Sequence, residues 1–368
     1  MKAIALIPGT KNVRLSDRPE PNIEAPTEIK VRVLQVGICG TDREEAAGGR
    51  ADAPQGEKEL VVGHEMLAEV REVGPQVKRL KPKDLVVITV RRGCNECEPC
   101  KKNCPDMCKT GLYTERGIKG RHGYQCEYVV DDEKYCIKVP PALRKIAVLT
   151  EPTTVVEKAI DHASRLQVAR LPVDPDPKKW IEGKLVLVAG LGPIGLLAAM
   201  VLRLRGARVL GMDIVDSHSA RPKILEAMGG KYVLANDESV QNARKTFGQI
   251  DMIIEAAGIP KLDFELMEAL GLSGVYALTG VPSDDRPLNV DGGKIMRQVV
   301  LRNQIVFGSV NAGLEHFQQA VVDLEAAQAK WKGVVEQFIT TRIPYQQFDK
   351  VLFKKVPEEI KAVTVWHE

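Results

Sequence analysis

Up to about residue 150 the apolar positions come in short runs broken by glycine and proline. EIKVRVLQVGICG (28–40), ELVVGHEMLAEVREVG (59–74) and DLVVITV (84–90) are the clearest, and each reads as a β-strand with a loop behind it. From residue 150 the period lengthens. TEPTTVVEKAIDHASRL (150–166) has helical spacing, with Pro152 in a first-turn position. PVDPDPKKW (172–180) is a Pro/Asp-rich connector. Strand-like runs and helical stretches then alternate: KLVLVAG, PIGLLAAMVLRLRG, ARVLGMD, ARPKILEAMGG, KYVLA, IDMIIEAAG, GVYALTGV and QIVFGSV. Such alternation predicts right-handed βαβ units around a parallel, doubly wound sheet. After about residue 310, GLEHFQQAVVDLEAAQAKW reads as an amphipathic helix and KAVTVWHE as a last strand returning to the first region. The expected chain is α/β. A β-rich domain is expected over 1–153 and 309–368, discontinuous in sequence, and a doubly wound Rossmann domain over 154–308.

Composition narrows the function. The 368 residues suit two domains, and 44% apolar content is enough for substantial cores. Fifty-two basic against 49 acidic side chains give a net charge of +3, which is no footprint for nucleic acid. No apolar run reaches the roughly 18 residues of a membrane span. Pro8 and Gly9 interrupt the N-terminal apolar run where a secretory signal would continue, so a cytoplasmic protein is expected. Its eight cysteines are then thiols, metal ligands or catalysts rather than disulfides. Five of them lie between 94 and 108; Cys39, Cys126 and Cys136 stand apart.

VLVAGLGPIGLLAAM carries Gly190, Gly192 and Gly195 as G-x-G-x-x-G, after a strand and at the start of a helix. In that context the first glycine makes the turn, the second admits a pyrophosphate to the backbone, and the third lets helix and strand pack closely. Leu191, Pro193 and Ile194 complete the cofactor loop. The next strand ends at Asp213, 23 residues after Gly190, where a carboxylate accepts hydrogen bonds from the adenosine ribose and repels a 2′-phosphate. NAD is therefore favoured, with NADP allowed; Arg221 and Lys223 read as part of a solvated helix face. Turns ending the later strands, Gly258, Thr279 to Val281 (with Gly280 between) and Ser309 to Asn311 (with Val310 between), are expected to line the nicotinamide.

GCNECEPCKKNCPDMCKTG places Cys94, Cys97, Cys100 and Cys108 as C-x2-C-x2-C-x7-C. Four thiolates so spaced close a tetrahedral zinc site with no open position, hence a structural one. Cys104 reads as a bystander. A second set is dispersed: Cys39 in GICGTD, His64 and Glu65 in GHE, and Glu151 in LTEP. A thiolate, an imidazole and a carboxylate are good zinc ligands and leave a fourth position for water or substrate. Spacing alone does not exclude a packed thiol and a surface histidine here.

GICGTD, GHE, the four-cysteine lobe and GLGPIG, in this order, resemble the zinc-dependent medium-chain alcohol dehydrogenase superfamily over essentially the whole chain. ITVRRGC, ERGI, HGYQCEYVVDDEKYCIKVP, LTEPTTVVEKAI and FGSVNAG resemble its archaeal glucose dehydrogenases. The resemblance implies a GroES-like catalytic domain and a catalytic zinc held by Cys39 and His64, with Glu65 and Glu151 close by. It implies a structural zinc as well, making two per chain. Thr41 would pass the substrate proton outward, and Glu115 and Asn311 would contact the sugar; a solvated loop charge is the alternative for Glu115. Glu151 is also expected beside the substrate. A homotetramer is implied, with QIVFGSV a candidate edge strand. Two departures bear on specificity: Asp213-Ile214-Val215 stands where the family often has Asn or Ser followed by arginines, and Thr89-Val90 occupies a stretch where some members have Asn. The expected reaction is oxidation of an aldose, glucose or galactose, at C1 to its lactone, with hydride transfer to NAD(P). The alternatives are a zinc polyol or secondary-alcohol dehydrogenase of the sorbitol or threonine type, and, outside catalysis, a zinc-stabilised NAD-binding protein. Asp42 is left between orienting a zinc ligand and capping the helix that follows.

Overall fold

In the computed structural model, which describes residues 1–282, 286–356 and 358–368, the chain forms two compact units. The first comprises Met1–Thr154, Asn311–Glu325 and Glu336–Glu368; the second comprises Val155–Val310 and Ala326–Val335.

The first unit is organised around one long strand, Glu28–Ile38. It pairs with Glu65–Val73, Tyr128–Asp132 and the last strand, Lys361–Val365, antiparallel in every case. Leu85–Ile88 and Cys136–Val139 extend the sheet on one side and Ile339–Pro344 on the other. The central strand does not alternate buried and exposed positions: Val31, Val33, Leu34, Val36 and Ile38 are all buried. Both its faces are covered, so a period of two does not show in the sequence. Two small three-stranded sheets complete the unit, one built on Lys2–Leu6 and the other on Thr114–Arg116.

The second unit is a six-stranded parallel sheet. Its order is Lys231–Leu234, Arg208–Asp213, Leu185–Ala189, Ile250–Glu255, Leu270–Leu278, Ile305–Gly308. Strand order reverses at Leu185–Ala189, the switch point at whose C-terminal end ligands bind in open α/β sheets. Leu185–Ala189 is buried throughout, as expected of a strand covered on both faces. The helix from Thr150 runs to Arg170, beyond the stretch read from the sequence. Helices Pro260–Met267 and Gly292–Leu301 and strand Ile339–Pro344 were not anticipated. The strand is short and ends in proline, which is characteristic of an edge. Among the described residues no helix is long and apolar enough to cross a membrane.

A buried charge network ties the small sheet of Thr114–Arg116 to the large sheet of the first unit. Asp131 Oδ2 accepts from Arg92 NH2 at 2.6 Å and from Arg116 Nε at 2.9 Å and NH2 at 2.7 Å. Burial alone would raise the Asp131 carboxyl, but Arg116 and Arg92 bring it below its ordinary value. Removing one member of such a group leaves the opposite charge buried and unpaired. Asp131→Ala should therefore destabilise the protein by about 3–5 kcal/mol, measured as a lower denaturation midpoint; an unchanged midpoint would contradict this account.

Candidate functional site

Cys39 sits where the central strand ends and the short helix Gly40–Ala46 begins. It is the N-cap: its sulfur accepts from Thr41 N at 3.2 Å, and Asp42 Oδ2 accepts from Cys39 N at 2.8 Å. This reciprocal cap fixes the thiol's direction. Cys39 Sγ lies 3.1 Å from His64 Nε2. Asp42 Oδ1 faces the other ring nitrogen, His64 Nδ1, at 3.6 Å, too long for a hydrogen bond but close enough to favour the charged ring. Of the two roles left open for it, Asp42 fills that of helix cap. Donor atoms of Cys39, His64 and Glu65 all lie within 4.8 Å of one another.

The electrostatics here are set by burial and by opposing neighbours. Burial pushes the Cys39 thiol up, with His64 opposing. Burial would lower His64, but Cys39 and Asp42 carry it well above the ordinary imidazole value. Glu151, in the first turn of its helix, is pushed up to about 7, chiefly by burial, with His64 lowering it and Glu65 raising it. It stands outside the three-residue cluster yet within its field. His64 Nδ1 and Asp42 Oδ1 are buried with no hydrogen-bond partner among the described residues, while Glu65 is paired with Lys361. A thiol, an imidazole and a carboxylate converging in this way fit a metal ion, so Cys39, His64 and Glu65 are the residues able to hold one.

The four-cysteine set also converges: ligand atoms of Cys94, Cys97, Cys100 and Cys108 lie within 4.8 Å of one another. Gly93 is required beside them, because a Cβ there would stand 2.6 Å from Cys100 Sγ. Cys108 is brought down to about 5, first by the Thr110 hydroxyl, while burial raises Cys100 to about 12. Cys104 lies outside the group, with its thiol 3.6 Å from Lys102 O.

Glu115 is not a solvated loop charge. It is buried, and its Oε1 accepts from Arg91 Nε at 3.0 Å, Arg91 NH2 at 2.9 Å and Asn311 Nδ2 at 2.7 Å. Two residues expected at a sugar are thus in contact, 196 positions apart. Arg91, stacked on Tyr113 at 3.8 Å, joins them and was not singled out from the sequence. The Thr89 hydroxyl is engaged by Arg92 at 2.9 Å.

In the second unit the glycine-rich turn fits a dinucleotide. A Cβ on Gly195 would lie 1.7 Å from Gly190 O, so only glycine lets helix and strand meet. Beside Gly192, the N-cap of helix Pro193–Leu204, there is open space and no side-chain cap, leaving first-turn N–H groups for an anion. Asp213 is more constrained than the sequence suggested. Its Oδ2 accepts from Leu191 N at 2.8 Å and its Oδ1 from Ile214 N at 2.7 Å. Arg221 is not merely solvated: NH1 pairs with Asp213 Oδ2 at 3.2 Å. Glu255, which no motif marked, is fully buried at the end of its strand. Its carboxylate accepts from Ala257 N and Gly258 N at 2.6 Å and Gly280 N at 3.1 Å, bracing two turns of the expected nicotinamide site. Ser309 Oγ is buried without a hydrogen-bond partner among the described residues; Val281 and Val310 are exposed. The remaining expected contact, Asn311, belongs to the first unit.

Two family models match, the alcohol dehydrogenase GroES-like domain over residues 25–141 and the glucose dehydrogenase C-terminus over 144–365. The chain belongs to the glucose dehydrogenase family of medium-chain dehydrogenases. Among members of that family, it is 38% identical to the glucose 1-dehydrogenase of Thermoproteus tenax over 365 residues, and 36% identical to that of Methanocella arvoryzae over 367, with 99% of both chains covered in each case. A solved structure of Haloferax mediterranei glucose dehydrogenase, in complex with NADP, zinc and gluconolactone, is similar with a TM-score of 0.87. It is 33% identical and covers 100% of both chains.

Glu45, within the helix Gly40–Ala46, adds a pH dependence. It is fully buried, neither carboxylate oxygen has a hydrogen-bond partner among the described residues, and burial, then Asp42, raises it to about 9. Between its ordinary value and about 9 the folded chain keeps a proton that the unfolded chain releases, so rising pH favours unfolding. Glu45→Gln should melt higher than the parent protein at pH 8–9, an advantage shrinking toward pH 5; parallel melting curves at all pH values would refute this.

Proposed function

We propose that the protein oxidises an aldose of the glucose or galactose type at C1 to the lactone, passing a hydride to NAD(P), with zinc held by Cys39, His64 and the Glu65 and Glu151 carboxylates. The observation that carries this reading is the convergence of Cys39, His64 and Glu65 donor atoms within 4.8 Å. The Haloferax mediterranei relative, solved with zinc, NADP and gluconolactone, supports it. When bound, zinc supplies Lewis-acid stabilisation of the developing alkoxide, and the nicotinamide supplies the hydride acceptor.

The chain's own residues do the rest. Thr41, two residues from the thiol, takes the C1 hydroxyl proton and hands it outward. Glu115, held by Arg91, and Asn311, held by Glu115, fix the sugar hydroxyls through directional hydrogen bonds; such orientation is a large part of catalysis. As the C1–H hydride leaves, the C1–O bond becomes the lactone carbonyl. The second unit presents the nicotinamide from turns braced by Glu255.

We further propose a second, structural zinc on Cys94, Cys97, Cys100 and Cys108, a preference for NAD set by Asp213, and a cytoplasmic homotetramer. Supporting the last, strand Ile305–Gly308 ends its sheet, which is where a second copy extends one. Arg221 beside Asp213 is the feature that keeps NADP within reach.

Cys39→Ser should abolish sugar oxidation while leaving the fold and NAD binding intact, and should lower zinc from about two to about one per chain. Cys97→Ser should chiefly lower the melting temperature. Full turnover by the Cys39 variant, or unchanged melting with lost turnover in the Cys97 variant, would overturn the respective assignment. Steady-state kinetics on glucose, galactose, xylose and a polyol should favour an aldose with NAD, and Asp213→Ala should shrink the preference over NADP. A polyol as best substrate would overturn the aldose reading, and NADP winning in the parent enzyme would overturn the cofactor one.

A further inference from the structure

Lys361 carries no motif, yet it is among the most buried cations of the chain, 2% exposed at the start of the last strand. Its Nζ lies on both oxygens of Glu65, 2.5 Å from Oε1 and closer to Oε2. The two residues are 296 positions apart and come from strands that are not neighbours. Between them runs the central strand. Gly37 of that strand pairs with Glu65 on one side and Val363 on the other. Two strand spacings, about 10 Å, separate the outer strands, so the side chains must reach across the middle one. They pass over Gly37. A Cβ at this position would stand 2.0 Å from Glu65 Oε2 and 2.9 Å from Lys361 Cε. The glycine is required by the ion pair; its backbone is ordinary strand.

Glu65 therefore has two claimants. A carboxylate oxygen lies within 4.8 Å of the Cys39 and His64 donor atoms, and the same carboxylate is held by an ammonium. A carboxylate shared with a fixed cation is a weaker donor to a second cation than a free one. We propose that Lys361 is a positioning residue that competes with the metal for Glu65, making Glu65 a displaceable partner of the zinc and leaving a coordination place for the sugar. This rests on the zinc reading given above.

The test uses holoenzyme loaded with zinc or with cobalt, and the variants Lys361→Met, Lys361→Arg, Glu65→Gln and the Lys361→Met/Glu65→Gln double change. Chelator competition gives metal affinity at the Cys39 site, and the cobalt d–d bands give coordination number. Lys361→Met should bind metal tighter by about tenfold or more, show the weaker bands of a higher coordination number, and lose kcat more than KM. Lys361→Arg should stay near the parent in all three. In the Glu65→Gln background the Lys361→Met effect on affinity should vanish. If it persists there, Lys361 acts by general repulsion of the metal and the proposal fails. Parent-like affinity and spectrum in Lys361→Met also overturn it. Should Lys361→Met not fold, the double variant, which leaves no unpaired buried charge, carries the comparison: a spectrum identical to that of Glu65→Gln supports the proposal and a different one overturns it. A parent enzyme that holds metal only at the four cysteines would instead remove the zinc reading itself, an outcome distinct from all of these.

Discussion

Charges taken out of water must be compensated where they are buried, and in this protein that constraint is met around one strand. Glu28–Ile38 pairs with three others, and its end delivers Cys39 to His64. Along it lie Gly37, which gives passage to the Lys361–Glu65 pair, and Lys30, which pairs with Glu20 at 2.6 Å. A buried ion pair adds little net stability compared with an apolar substitute, but breaking one is costly. Such pairs therefore specify geometry more than they stabilise it. Glu65 is held beside the thiol and the imidazole because Lys361, the group that neutralises it, comes from a strand the sheet has already fixed.

The same logic recurs in the second unit with backbone donors in place of cations. Asp213 and Glu255 each end a parallel strand, and each spends its carboxylate on N–H groups of turns: Leu191 and Ile214 for the first, and Ala257, Gly258 and Gly280 for the second. Loops at the ends of strands have few apolar contacts to hold them. A buried carboxylate accepting two or three N–H bonds stiffens such a loop while leaving other backbone donors for a ligand.

Some of this was legible in the chain. Gly190, Gly192 and Gly195 sit in a strand–turn–helix context that admits few readings, and the close spacing of the four cysteines makes their convergence a local matter. GICGTD and GHE were legible only as family motifs, since a lone Cys and a lone His have ordinary packing roles. Glu115 was ambiguous because its partners come from elsewhere, Arg91 from a paired strand and Asn311 from a return of the chain far along the sequence. Arg221 was read as solvated because helix spacing says nothing about the carboxylate on the neighbouring strand.

By itself, then, the sequence determined what depends on neighbours within a few residues: the strand-rich first region, the βαβ alternation, the nucleotide turn and the four-cysteine lobe. Tertiary structure alone decided the charge partners. Lys361 meets Glu65 across a glycine on a third strand, Asp131 meets two arginines from paired strands of a different sheet, and Glu255 braces turns after two different strands. The reason is physical. A salt bridge or a carboxylate–amide bond acts over about 3 Å, and sheet pairing brings residues within that distance regardless of how far apart they lie along the chain.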